Sequence, residues 1–167
     1  CRTIASYNRS SNKPTLTVTY DSTPSSYQLI TDGTYYLNNK YSGNYLKYMS
    51  LVLKGESGLL DSLGDYIKWE IRSVDGGYVI YSTADMKKYL GVPSSTTSLD
   101  TQMVTVSDSS IPSRCIWTIT MAPNGSGYII KNNYNSKFLQ TFGGNINTVE
   151  SLSNGDGGND SGVWRIS

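Results

Sequence analysis

Histidine is absent from the chain. Its absence removes the Ser-His-Asp and Cys-His nucleophile arrangements and every zinc site that needs an imidazole. Cysteine is scarce as well, with only Cys1 and Cys115, too few for a thiolate-only zinc site. A bridge between them in an extracellular setting stays open. The plainer reading makes Cys115, two residues before Trp117, a small buried side chain. A reactive thiol would need a nearby cation or base, and strand alternation would turn the neighbouring Arg114 to the opposite face. Charge is thin: 16% of residues are charged, against about 25% in an average soluble domain. The net charge is +1 and no basic run exceeds Lys87-Lys88, so the clustered face that grips phosphates is missing and no nucleic-acid partner is expected. No apolar run approaches the roughly 20 residues that cross a bilayer, and no membrane insertion is expected. The chain opens on Cys1 rather than Met and shows no signal peptide. It reads as an excised or processed piece whose targeting signal would lie upstream.

With so little charge, polarity comes from Ser, Thr, Asn and Gly. Tyrosine is abundant, 14 residues against 2 Phe. It favours strands, and it joins apolar area to a hydroxyl, which suits surfaces that bind polar ligands. Tyr35-Tyr36-Leu37-Asn38-Asn39-Lys40-Tyr41-Ser42-Gly43-Asn44-Tyr45-Leu46 aligns without a gap on Tyr128-Ile129-Ile130-Lys131-Asn132-Asn133-Tyr134-Asn135-Ser136-Lys137-Phe138-Leu139. A middle copy runs from Tyr78-Val79-Ile80-Tyr81-Ser82 to Lys88-Tyr89-Leu90. Each copy opens near a glycine (Gly33, Gly77, Gly127) and closes on Trp-x-Ile: Trp69-Glu70-Ile71, Trp117-Thr118-Ile119 and Trp164-Arg165-Ile166. Inside each unit the pattern reads strand, turn, strand, looser segment, strand, with Asn, Ser, Gly and Lys in the turns. No stretch has a helical period. Leu51 to Leu63 is the one ambiguous run, and Gly55, Gly58 and Gly64 argue against a helix there. Three repeats of about 45 residues are too few blades for a propeller and lack the atypical caps of a solenoid. Closure into a three-fold barrel would remove the exposed edges.

The first residues stand apart. Pro14 to Tyr20 alternates polar and apolar, as a strand does, and residues 21–26 form a Ser/Pro linker. Ser10 to Tyr20 resembles the last strand of a bacterial cell-wall β-domain, the DNRLRE family. Residues 1–20 thus read as a strand remnant of an upstream β-domain, and 27–167 as the repeat domain.

From Gly33 to Ser167, Tyr-x-Ile/Leu, then Asn-x-x-Ser-Gly-Asn-Tyr-Leu, then Trp-x-Ile, three times over, resembles the ricin-B-like lectin family, the family 13 carbohydrate-binding modules. The resemblance implies an all-β fold, a β-trefoil preceded here by one extra N-terminal strand. It implies that Trp69, Trp117 and Trp164 pack in a shared centre. The family often carries a glutamine two before each Trp, where this chain has Ile67, Cys115 and Gly162. It often carries a sugar-binding aspartate after the Leu of the second strand, where this chain has Lys47, Gly91 and Gln140. A carboxylate can accept from two vicinal hydroxyls. Gln140 replaces that in part; Lys47 and Gly91 cannot accept.

Repeat three is therefore the first candidate site: Gln140 at the aspartate position, Phe142 as a ring, and Asn159 and Asp160 from the loop Asn154 to Asp160. The alternative is a Gly/Asn-rich surface loop. That loop faintly echoes an oxygen-rich calcium loop without its terminal glutamate, and no metal or cofactor is expected. Repeat one is second, with Lys47, Tyr48, Asp65 and Tyr66 forming a pocket suited to an acidic sugar. The alternative has Tyr48 packing on the barrel and Asp65 capping a turn. In repeat two, Gly91 and Val92 replace the polar positions, and Asp100 and Gln102 read as turn residues. No spacing among the 13 acids nominates a glycosidase pair, so an enzyme is not expected. The expected function is a non-catalytic carbohydrate-binding module of a secreted or surface bacterial protein, its partners being glycans and other domains of the same polypeptide. A protein-binding or spacer trefoil with degenerate sugar sites is the alternative.

Overall fold

In the computed structural model of the chain, residues 29–48, 54–56, 60–107, 110–142, 145–149 and 161–167 are described. The N-terminal strand and linker, Cys1, Asn159 and Asp160 lie outside the described residues. Among the described residues twelve strands form in chain order: β1 Gly33–Asn39, β2 Tyr45–Lys47, β3 Lys54–Glu56, β4 Lys68–Val74, β5 Gly77–Ser82, β6 Lys88–Gly91, β7 Gln102–Thr105, β8 Ile116–Met121, β9 Tyr128–Asn132, β10 Phe138–Phe142, β11 Asn145–Val149 and β12 Val163–Ile166. All belong to one sheet.

The antiparallel pairs β1–β4, β4–β5, β5–β8, β8–β9, β9–β12 and β12–β1 close a barrel. The pairs β2–β3, β6–β7 and β10–β11 form three hairpins. Each hairpin hangs from the barrel by an equivalent register: Asn38↔Tyr45, Tyr81↔Tyr89 and Lys131↔Phe138. The architecture is an all-β trefoil. Its three lobes are β1–β4, β5–β8 and β9–β12.

The alternation of inward and outward residues explains the core. Leu37, Ile80 and Ile130 on the first strands, and Leu46, Leu90 and Leu139 on the second, are fully buried together with Trp69, Trp117 and Trp164. A buried indole N–H must find an acceptor, and each finds the same one. Trp69 donates to the Leu46 carbonyl at 2.9 Å, Trp117 to Leu90 at 2.9 Å and Trp164 to Leu139 at 3.0 Å.

A second recurring device sits at the end of each first strand. The side chain of Asn39, fully buried, donates to the Ser161 carbonyl at 2.7 Å, and Asn132 donates to the Arg114 carbonyl at 3.0 Å. Both turn their Oδ1 to the turn that follows, accepting from the backbone of Ser42 and of Tyr134 at 3.0 Å. Ser82 holds the same place in lobe two and is too short to reach across. The Thr83 hydroxyl takes over there, donating to the carbonyls of Asp65 and Lys68 at 3.0 and 3.1 Å.

The opening glycines divide into two kinds. A Cβ on Gly77 or Gly127 would lie 2.5 or 2.6 Å from the carbonyl oxygen of Trp117 or Trp164. Gly33 meets no such wall, because it stands one residue earlier. Thr34 takes that place and donates its hydroxyl to Glu70 at 2.8 Å. Between Leu51 and Leu63 the structure differs from the expectation, with one helical turn at Leu60–Leu63 running into a 3-10 turn at Gly64–Ile67. Gly64, at φ +57°, confines it to a turn.

Candidate functional site

Each lobe joins the hairpin to the approach of its Trp strand through one more repeated bond. The backbone N–H two residues after the buried Leu donates to the carbonyl three residues before the Trp. The pairs are Tyr48 to Tyr66 at 2.7 Å, Val92 to Arg114 at 3.1 Å and Thr141 to Ser161 at 3.0 Å. The frame therefore brings the same two positions together three times, and the side chains on them decide what each lobe can bind.

In lobe one those side chains are two tyrosines. Their rings lie parallel within 5°, centroids 6.4 Å apart. Tyr48 rests against the core, while Tyr66 is 54% exposed. The 3-10 turn that carries Tyr66 also presents Asp65, whose carboxylate accepts from Lys68 Nζ at 3.0 Å. That partner holds the Lys68 ammonium above the usual lysine range, first through the hydrogen bond and then through its charge. The Asp65 side chain is 66% exposed, and the Asp65 carbonyl accepts the backbone N–H of Lys68 that closes the turn. The structure thus stacks Tyr48 on Tyr66, with Asp65 preceding Tyr66 in the same turn. The cation that meets Asp65 is Lys68, while Lys47 sits half-buried beside Tyr48 on the outer face of β2. Sequence reading passed over Lys68, although its place next to the buried Trp69 puts it outside by alternation.

Lobe two has no such face. Val92 is fully buried at the Tyr48 position, and Gly91 lies against Val104, Arg114 and Cys115. Gln102 is a strand residue of β7, not a turn residue, and its amide donates to the Val92 carbonyl at 3.3 Å. Asp100 bridges to Asn147 of lobe three. Arg114 and Cys115 lie in a 3-10 turn rather than a strand. The opposite-face expectation for Arg114 therefore has no strand to rest on. Cys115 is a free, fully buried thiol among Val104 and Val106. Burial pushes its pKa up to about 11, against a smaller lowering by the Arg114 charge.

In lobe three Gln140 is half-buried. It accepts from the Ser161 hydroxyl at 3.4 Å and faces Asn147 across β10–β11. Asn147 Oδ1 is buried without a donor among the described residues. Thr141, at the Tyr48 position, is buried and donates to Asn39 at 2.9 Å. Phe142 ends β10 opposite Asn145. Asn159, Asp160 and the faint calcium loop lie outside the described residues. Among the described residues no three metal-binding side chains converge.

No family model and no curated protein matches the sequence. Solved structures do. A Macrolepiota procera ricin B-like lectin in complex with lactose superposes with a TM-score of 0.66 at 14% identity, covering 84% of this chain and 98% of that one. The fold is that of the ricin-B-like lectins. SeviL bound to asialo-GM1 saccharide gives 0.64 at 18% identity, covering 82% and 98%. Cry35Ab1 gives 0.64 at 27% identity and covers 83% of this chain, which spans 36% of that protein. Similar segments occur in an endo-β-galactosidase of Clostridium perfringens and in a mosquitocidal holotoxin, of which the chain spans 32% and 17%.

Proposed function

We propose that the chain is a non-catalytic carbohydrate-binding domain, part of a secreted or cell-surface multidomain protein, and that lobe one is its best-formed sugar site. The exposed Tyr66 ring, stacked on Tyr48 and next in the chain to the ion-paired Asp65, carries this reading. A sugar lays its apolar C–H face on an aromatic plane and turns its hydroxyls to fixed polar groups. The Asp65 carboxylate accepts two such hydroxyls, and the Lys68 ammonium donates to a third. Because Asp65 already neutralises Lys68, the site favours a neutral sugar over an acidic one. The ricin-B-like fold shared with saccharide-bound lectins supports the binding class. The larger proteins that carry similar segments support a place beside other domains. The absent histidines and the buried, protonated Cys115 thiol favour a role without catalysis.

The test is a glycan-array screen of the chain with Tyr66→Ala, Gln140→Ala and Lys47→Ala. Tyr66→Ala weakens binding roughly tenfold or more, about 1.4 kcal/mol, and the other two change it little. A loss confined to Gln140→Ala moves the site to lobe three. No binding to any glycan turns the reading to a protein-binding or spacer trefoil, which lobe two, with buried Val92 in place of a ring, already resembles.

A further inference from the structure

The outer barrel wall of lobe one breaks the three-fold pattern. In lobe two, Val79 of β5 faces Ile116, and in lobe three Ile129 of β9 faces Val163. These are aliphatic pairs that seal the wall. The same register in lobe one sets Tyr36 of β1 opposite Lys68 of β4. Directly opposite residues of an antiparallel pair bring their side chains within roughly 5 Å on one face. Tyr36 also meets Tyr45 of β2 edge to face, ring centroids 6.2 Å apart and planes at 78°. Both rings are half-buried, so each keeps an exposed part. Lys68 consequently reaches two ways, through its strand register to Tyr36 and through its ammonium to Asp65 at 3.0 Å. The ion pair thus links Tyr36, opposite Lys68 on β1, to the turn in which Asp65 precedes Tyr66.

We propose that lobe one is an extended site that takes a neutral oligosaccharide, with one residue on Tyr66 and the next on the outer wall at Tyr36 and Tyr45. This rests on the carbohydrate-binding reading of the lobe. A single sugar needs one ring and a few polar groups. A second aromatic pair, set opposite Lys68 through Tyr36, offers a second platform, and the ion pair serves hydroxyls of both residues. Tethering the second residue to the first makes its contact intramolecular, so affinity rises with chain length. In lobe two the rings of Tyr81 and Tyr89 stack 4.9 Å apart, but Tyr81 is buried and Ile116 stands at the Lys68 position, which confines the effect to lobe one.

Two length series test this by calorimetry: galactose, lactose and asialo-GM1 saccharide, and glucose, cellobiose and cellotetraose. They are run on the unmodified chain, Tyr36→Val, Tyr36→Ile and Tyr66→Ala. Val and Ile stand at this position in the other lobes, so both Tyr36 variants are compatible with the fold, and a thermal melt checks it. In one series the unmodified chain gains about tenfold in affinity from monosaccharide to the longest member. Tyr36→Val and Tyr36→Ile remove that gain and leave monosaccharide affinity within about twofold, whereas Tyr66→Ala weakens every member. Monosaccharide binding with no gain by length, or a gain that survives both Tyr36 variants, overturns the extended site and leaves the single-sugar site standing. No binding of any member by the unmodified chain overturns both.

Discussion

In lobe one Trp69 donates to Leu46 and Tyr48 to Tyr66; in lobe two Trp117 donates to Leu90 and Val92 to Arg114. Donor and acceptor positions correspond, yet the outward chemistry does not. Where lobe one sets Lys47, Tyr48, Asp65, Tyr66 and Lys68, lobe two sets Gly91, Val92, Ser113, Arg114 and Ile116. The difference teaches which positions the trefoil needs. Inward positions must fill a shared centre at near-crystalline density and vary little. Outward positions beside the hairpin are constrained only by the backbone bond across them, so one lobe can carry two rings and an ion pair while its neighbour closes its hairpin over with Gly91 and Val92.

The inward positions carry the largest expected effect. Trp117→Ala and Trp69→Ala each cost about 3–5 kcal/mol in urea unfolding, by the same amount to within about 1 kcal/mol, because both leave the same cavity and the same orphaned Leu carbonyl. A large inequality between them would break the equivalence of the lobes. Tyr66→Ala, by contrast, changes stability by less than about 1 kcal/mol.

A swap at the aspartate position comes next. A Cβ on Gly91 would lie 2.9 Å from Val104 Cγ2, 3.0 Å from the Arg114 carbonyl oxygen and 3.1 Å from Cys115 Sγ. Gly91→Asp therefore destabilises by about 2–3 kcal/mol through crowding and a buried carboxylate. Lys47→Asp, on a half-buried outer position, costs less than about 1 kcal/mol. Equal costs, read by thermal melts, would show that packing does not close lobe two.

The smallest effect is alkaline. Cys115 stands in lobe two where Ile67 stands in lobe one. Its folded pKa, about 11, is raised from an ordinary 9.0. A raised folded pKa contributes stability that is whole below the unfolded value and is lost as pH climbs from 9 towards 11. In a Cys1→Ser background, a thiol reagent at pH 8 leaves the folded chain unlabelled and labels it in urea. About 1 kcal/mol of stability disappears by pH 10 through this thiol, and Cys115→Ala reduces the pH dependence by that share, leaving the part due to Tyr81 and Lys68, whose pKa values are also raised. Fast labelling of the folded chain would contradict the burial of the thiol.

Much of the fold was legible because its signals are local and repeated. Tyr-x-Ile/Leu, the Asn-rich turn and Trp-x-Ile mark three strands per lobe, and the alternation around each Trp tells inside from outside. The site was legible only in part. Lys47, Tyr48, Asp65 and Tyr66 were named as neighbours; the Tyr48 and Tyr66 rings stack, while the carboxylate of Asp65 pairs with Lys68. Lys68 was passed over because its partner comes from a turn whose path depends on Gly64, and Tyr36 because strand register, not spacing, sets it opposite Lys68. Gln102 was misread because nothing in its neighbourhood announces pairing with β6.

By itself the sequence determined that this chain is all-β, that it is built three times over, that its tryptophans face inward and that imidazole chemistry is absent. Those properties follow from side-chain period and composition, which act over a few residues and need no partner. Tertiary structure alone decided that Tyr36 faces Lys68, that Asp65 spends its charge on Lys68, and that Gly91 is walled in while Lys47 lies on an outer face. Such contacts join residues from different strands, and their geometry follows from how the barrel closes, an outcome of register and packing across the whole chain that no local pattern encodes.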